Sequence, residues 1–141
     1  MDIRKCSRAL IVNEFNEILL EEFEFKDVIE NKVLWVTPGG GINLNETPVE
    51  ALKRELDEEL GIIIDIKDMP IFELDVLIEG KKGSFISREI YYKIKIQSNT
   101  KLSIQKMSEN EKNTFRGLKW WSKKELQEME EFAPRDILNY F

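Results

Sequence analysis

Histidine is absent from the 141 residues, and Cys6 is the only cysteine. Without histidine there is no Ser-His or Cys-His nucleophile pair and no HExxH zinc site. One cysteine excludes an intramolecular disulfide and a cysteine-rich zinc cluster. Positive charge is also in short supply: 21 Lys and Arg against 27 Asp and Glu leave a net charge of −6. Such a balance disfavours long nucleic acid as a partner, which needs a basic face. A nucleotide stays open, because a bound divalent metal inverts the local field. No apolar run is long enough to span a membrane, and the N-terminal run is too short for a signal peptide. The chain therefore reads as cytoplasmic, with no membrane partner. General-base work near neutral pH is left to a carboxylate, a lysine or metal-bound water.

Length predicts one domain over residues 1–141. Alternation predicts strands over 6–12 and 17–25, joined as a hairpin across a turn at Asn13–Asn16. A short apolar strand at 33–36 runs into Pro38 and three glycines, which read as a tight turn with close backbone approach. Further strands are expected over 62–66, 71–78, 85–96 and 117–121. The segment 97–116 is polar and reads as a long loop. A capping box at Ser122 and Glu125 starts a helix over 123–132, and Pro134 starts a last one with Ile137, Leu138 and Phe141 as its apolar side.

The best-specified element follows the glycines. Thr47 serves as N-cap, Pro48 fits the first helical position, Glu50 completes a capping box and Gly61 ends the helix. Val49, Leu52, Leu56 and Leu60 form its apolar stripe. On another side Glu59 lies about 40° from Glu55, with Glu58 about 60° away on the other flank. Three carboxylates on one side repel each other unless a cation sits between them. Ala51 falls in the acidic sector and leaves it open to approach. Arg54 is four residues from both Glu50 and Glu58 and can brace either.

The stretch from Gly40 to Ile62, GGINLNETPVEALKRELDEELGI, resembles the signature of the Nudix hydrolases, MutT-like enzymes. Gly40, Glu46, Arg54, Glu55, Leu56, Glu58, Glu59, Gly61 and Ile62 match it at every position. A solvated acidic face is what most charge runs are, but agreement over this length excludes that reading. Trp35-x-x-Pro-Gly-Gly before the helix and Trp120 to Leu126 late in the chain extend the likeness over most of the sequence.

The resemblance implies an α/β fold, an α/β/α sandwich around a mixed β-sheet. It implies hydrolysis of a diphosphate linkage in a nucleoside diphosphate derivative or nucleoside triphosphate, with Mg²⁺ or Mn²⁺ as cofactor. By position, Glu58 and Glu59 hold metal, Glu55 is ligand or base, and the carbonyl of Gly39 is a further ligand. Glu46 and Arg54 support the geometry. Many members add a carboxylate shortly before the late tryptophan; here those positions are Arg116 to Lys119, so Glu109 and Glu111 are the loop candidates for the base. Trp35, Phe23, Tyr91 and either Trp120 or Trp121 are candidate stacking surfaces, with at most one of the two adjacent tryptophans facing a site. Arg8, Arg88 and Arg116 are candidate phosphate partners. The partner is a small nucleotide-type molecule, and family members are often dimers, which extends the expectation to a homodimer. The competing class is a Nudix-like domain that binds a nucleotide as a sensor without turning it over.

Overall fold

The computed structural model describes residues 1–67, 69–129 and 132–141. Strands β1 (Asp2–Val12) and β2 (Ile18–Phe25) occupy the two N-terminal segments, with β1 starting earlier than its apolar stretch implies. Asn13 organises the turn between them: its Oδ1 accepts from the N–H groups of Phe15 and Glu17. The expected hairpin exists at its base, where Val12 faces Ile18. Beyond that pair the two strands take different neighbours. β1 runs parallel to β6 (Gly83–Lys95), and β2 pairs antiparallel with both β3 (Lys32–Val36) and β7 (Phe115–Trp121).

The pairings show that the sheet forks. β3 and β7 bond the same residues of β2, so they lie on its opposite edges. β1 and β3 therefore share one edge of β2 in succession. The three glycines do more than turn: β4 (Gly39–Gly41) is a short strand antiparallel to Cys6–Arg8 of β1. The chain from β3 through Pro38 thus crosses the fork, tied by the Ala9 N–H donating to the Pro38 carbonyl at 2.9 Å. β5 (Phe72–Gly80) joins the far side of β6, and β8 (Phe132–Ala133) lies parallel to β3.

Period-two alternation sends successive residues to opposite faces. Ala9, Ile11, Leu19, Tyr92 and Ile94 face helix α1 (Pro48–Leu60), which inserts Leu52, Leu56 and Leu60. These three leucines are fully buried, and each contributes about 2 kcal/mol of apolar burial. On the other face Leu10, Ile18, Leu20 and Tyr91 meet Leu126 of helix α3 (Lys123–Glu128) and Ile137 of a 3₁₀ turn, Arg135–Asn139. The result is the expected three-layer arrangement around a mixed sheet. No described helix is long and apolar enough to cross a membrane.

Helix α1 has the predicted caps: the reciprocal Thr47 and Glu50 box, Pro48 in the first turn, and Gly61 left-handed at φ 69°. Several expectations are corrected. Residues 62–66 are not a strand, although Ile62, Ile64 and Ile66 still pack on the α1 core. Helix α3 stops at Glu128; positions 130 and 131 of its expected range lie outside the described residues. The last helix is a 3₁₀ turn with Pro134 as N-cap. Ala51 is fully buried and leaves no open flank.

The 97–116 segment is held in place. Its Ser103 N–H donates to the Leu60 carbonyl at 2.8 Å, Lys106 meets Asp57 at 2.9 Å, and Met107 is buried. It also contains helix α2 (Glu109–Thr114), opened by a capping box of Ser108 and Glu111.

The glycine strand yields a sharp contrast. Gly39 has φ 139°, and a Cβ there would lie 2.1 Å from the Ser7 carbonyl oxygen, whereas a Cβ on Gly41 meets nothing within 4 Å. Gly39→Ala is expected to lose on the order of 3 kcal/mol in chemical denaturation, with Gly41→Ala close to wild type.

Candidate functional site

Arg54 organises the polar side of α1. Its Nε and Nη2 donate to the two oxygens of Glu46 at 2.8 and 2.9 Å, and Nη1 donates to Glu55 Oε1 at 2.9 Å. Nη2 also donates to the Gly41 carbonyl at 2.9 Å, which fastens the glycine strand to the helix. Glu58 lies farther off, 3.5 Å from Nη1. Glu50 is not braced by Arg54; its carboxylate accepts the Thr47 N–H in the cap. The fork geometry of Arg54 on Glu46 holds that carboxyl down at about 2.

Carboxylate oxygens of Glu55, Glu59 and Glu111 lie within 4.8 Å of one another. Glu55 and Glu59 come from successive turns of α1. Glu111 arrives from α2, where its Oε1 also accepts the Ser108 N–H at 3.1 Å. Of the two loop candidates the structure therefore brings Glu111 to the acids of α1 and leaves Glu109 outside the group. Glu58 is turned outward, with its side chain 43% exposed. Close packing puts Gly40 directly against the group: a Cβ there would meet the Glu55 carboxylate at 2.6 Å.

The sequence reading missed Glu21, which is buried on β2 beside Glu59. The signal was its parity. Glu21 falls on the same side of the strand as Leu19 and Phe23, where an acid is out of place, while Glu22 and Glu24 alternate onto the other side. Burial pushes the Glu21 carboxyl up to about 7. Burial, then the neighbouring Glu21, raises Glu59 well above the usual carboxylate range, and burial raises Glu55 also.

Glu21, Glu59 and Glu111 line a cleft of about 590 Å³ at the sheet fork, together with Arg8, Gly39, Phe23 and Phe25. Gly39 donates its N–H to Glu59 Oε1 at 2.9 Å. Its carbonyl accepts from Arg8 Nη1 at 3.3 Å and keeps a second lone pair. Arg8 also donates to the Thr37 carbonyl at 3.4 Å and sits 3.6 Å from buried Glu89.

The other candidates lie elsewhere. Arg88 makes a two-pronged pair with Asp75 on the neighbouring strand, at 2.9 and 3.0 Å. Trp35 packs edge-on against Trp121 at 5.1 Å, and Trp120 packs at the margin of the α1 core. The two adjacent tryptophans do face opposite layers, and neither lines the cleft.

The donor set is oxygen only, which suits a hard divalent cation. Glu21 Oε2 is buried beside the Glu59 carboxyl, a pairing that a shared proton or a nearby cation satisfies. The residues fit such an ion. Mg²⁺ or Mn²⁺ at about a hundredfold above its Kd is expected to raise the melting temperature by several degrees, where NaCl of equal ionic strength does not. Glu59→Gln is expected to abolish most of that shift. The Glu46–Arg54 pair predicts a different dependence. Glu46 has a depressed pKa, so its contribution is complete above about pH 4.5 and is lost as the pH falls towards 2. Arg54→Met is expected to show a shallower loss of stability over that window in urea melts.

The NUDIX domain family matches residues 4–141. The 8-oxo-dGTP diphosphatase of Haemophilus influenzae is 40% identical over 62 residues, 43% of each chain. An RNA pyrophosphohydrolase of Stutzerimonas stutzeri is 59% identical over 32 residues, 23% of this chain and 20% of that one. The matched stretches thus span less than half the length of these curated relatives. The crystal structure of a MutT protein from Methanosarcina mazei Go1 superposes with a TM-score of 0.69 at 25% identity, covering 98% of this chain and 91% of that one. The NUDIX domain of NrtR from Shewanella oneidensis, complexed with ADP ribose, gives 0.65 at 17% identity, covering 92% and 79%. A family match over nearly the whole length, on a fold whose glycine strand, helix α1 and the residues flanking that helix carry every position of the motif, means that this chain belongs to the NUDIX domain family.

Proposed function

We propose that the protein hydrolyses a diphosphate linkage in a nucleoside triphosphate or nucleoside diphosphate derivative, with Mg²⁺ or Mn²⁺ as cofactor. The observation that carries the reading is the convergence of Glu55, Glu59 and Glu111 within 4.8 Å, two of them, Glu59 and Glu111, lining a nucleotide-sized cleft. These three would hold the cation, with the Gly39 carbonyl beside them. Glu58 would join them by giving up its 3.5 Å contact with Arg54, a half-exposed pair. Bound there, the cation would neutralise phosphoryl oxygens and acidify an attacking water.

The chain's own residues supply the rest. Glu55 accepts the proton as the water oxygen bonds to phosphorus. The bridging P–O bond breaks, and its electron pair leaves with the departing phosphate. Arg54 orients Glu55 through the 2.9 Å bond to Oε1. Arg8 lines the cleft with a guanidinium suited to a phosphate oxygen, and Phe23 and Phe25 offer apolar ring surface to a base.

The 32-residue match to RNA pyrophosphohydrolases is short enough to be confined to the catalytic motif, so it supports the bond that is cut rather than the molecule that carries it. The 62-residue match supports a free nucleotide as substrate. The cytoplasmic setting and the homodimer belong to this proposal as well.

The purified chain with Mg²⁺ is to be assayed on nucleoside triphosphates including 8-oxo-dGTP, dinucleoside polyphosphates, ADP-ribose and 5′-triphosphorylated RNA. Release of monophosphate, phosphate or pyrophosphate from one class is expected. Tight binding without product across the panel would instead favour a sensor. Glu59→Gln is expected to cut turnover by ~10²-fold or more with its circular dichroism unchanged.

A further inference from the structure

Strand β6 buries an acid that the hydrolytic reading leaves unused. Glu89 is 7% exposed and stands on the same face as Tyr91, which is fully buried. Both neighbours on that face hold its carboxylate. Ser87 Oγ donates to Oε2 at 3.0 Å, and Tyr91 Oη donates to Oε1 at 3.3 Å. Because the Tyr91 proton goes to Glu89, the Tyr91 oxygen accepts from Thr37 Oγ1 at 3.0 Å. Thr37 lies in the crossing between β3 and β4, so the network ties Glu89 to the segment that carries Gly39.

The cation paired with this carboxylate is Arg8, whose Nη2 lies 3.6 Å from Oε2. Arg8 Nη1 is engaged by the Thr37 and Gly39 carbonyls, whereas Nε has no hydrogen bond to any described residue. Arg8 shares the lining of the cleft with Glu21 and Glu59, and Glu89 lies outside that lining. A guanidinium that closed on Glu21 or Glu59 would neutralise an acid of the site and lose its own donors to it. Burial disfavours the Arg8 charge, but Glu89 leads the groups that favour it, ahead of Glu59, and the pKa is raised. A buried carboxylate held by two hydroxyls thus draws Arg8 away from the acids beside which it sits.

We propose that Glu89 is a positioning residue for substrate: it holds the Arg8 guanidinium back from Glu21 and Glu59 and keeps its free donors for a phosphoryl oxygen of a bound diphosphate. The inference rests on the reading of the cleft as a diphosphate site. Glu89 itself touches no substrate, so its whole effect on binding passes through Arg8.

Calorimetric titration with methylene diphosphonate in excess Mg²⁺ tests this, since that probe carries the two linked phosphoryl groups on a bridge that is not hydrolysed. Arg8→Met and Glu89→Gln are each expected to weaken binding about tenfold, and the double variant no further than Arg8→Met alone. Tyr91→Phe keeps the carboxylate and removes one of its donors. It is expected to weaken binding about threefold in the wild-type background and not at all beside Arg8→Met. A merely structural role would instead give the same loss with and without Arg8, and that result overturns the proposal, as does unchanged binding in Glu89→Gln. If Arg8→Met binds as wild type does while nucleotide is still hydrolysed, only this inference fails. Wild type that does not bind the probe also overturns it, and the diphosphate reading falls as well if no nucleotide is hydrolysed.

Discussion

The arrangement depends on holding mutually repelling carboxylates at short range in a partly dry place. Glu55, Glu59 and Glu111 converge within 4.8 Å, and Glu21 lies buried beside Glu59. Nothing in these side chains favours that. The apolar stripe of α1 does, because Leu52, Leu56 and Leu60 pin the helix to the sheet and leave its acidic side no choice of direction. Caps at both ends keep the last turn, which carries Glu59, from fraying.

The glycine strand and Arg54 convert a packed helix into a site. Gly39 approaches β1 so closely that no other residue fits, and its N–H reaches Glu59. Gly40 lies against Glu55, and the Gly41 carbonyl takes a hydrogen bond from Arg54. Arg54 in turn ties Glu46 and Glu55 together, so helix, loop and strand are cross-linked by one guanidinium. The same residues that offer oxygens to a cation are thus kept from collapsing onto it or drifting apart.

The forked sheet explains where the cleft lies. β1 and β2 meet at Val12 and Ile18 and then diverge, and the chain between β3 and β4 crosses the gap. Residues from both prongs face one space, which is how Arg8 and Glu21 come to line a single cleft. Arg88 looked similar to Arg8 in the sequence, as an arginine on an otherwise apolar strand face. It pairs with Asp75 instead, because antiparallel β5 places that acid directly opposite.

Local chemistry was legible in the linear order. The α1 caps, its apolar stripe, the strand parities and the metal-suited acids on one helical side all follow from spacing within a few residues, where backbone geometry is the governing constraint. Family likeness rests on the same local spacing. The α2 helix was legible too and was passed over, since Ser108 and Glu111 carry the same capping pattern as Thr47 and Glu50. Only the tertiary structure decided which of Glu109 and Glu111 reaches the cluster, that Glu58 turns out to solvent, and that Glu21 is buried beside Glu59. The Glu111 and Glu21 outcomes depend on contacts between residues roughly 40 to 55 positions apart, whose distances are set by packing against the sheet and not by any repeat along the chain.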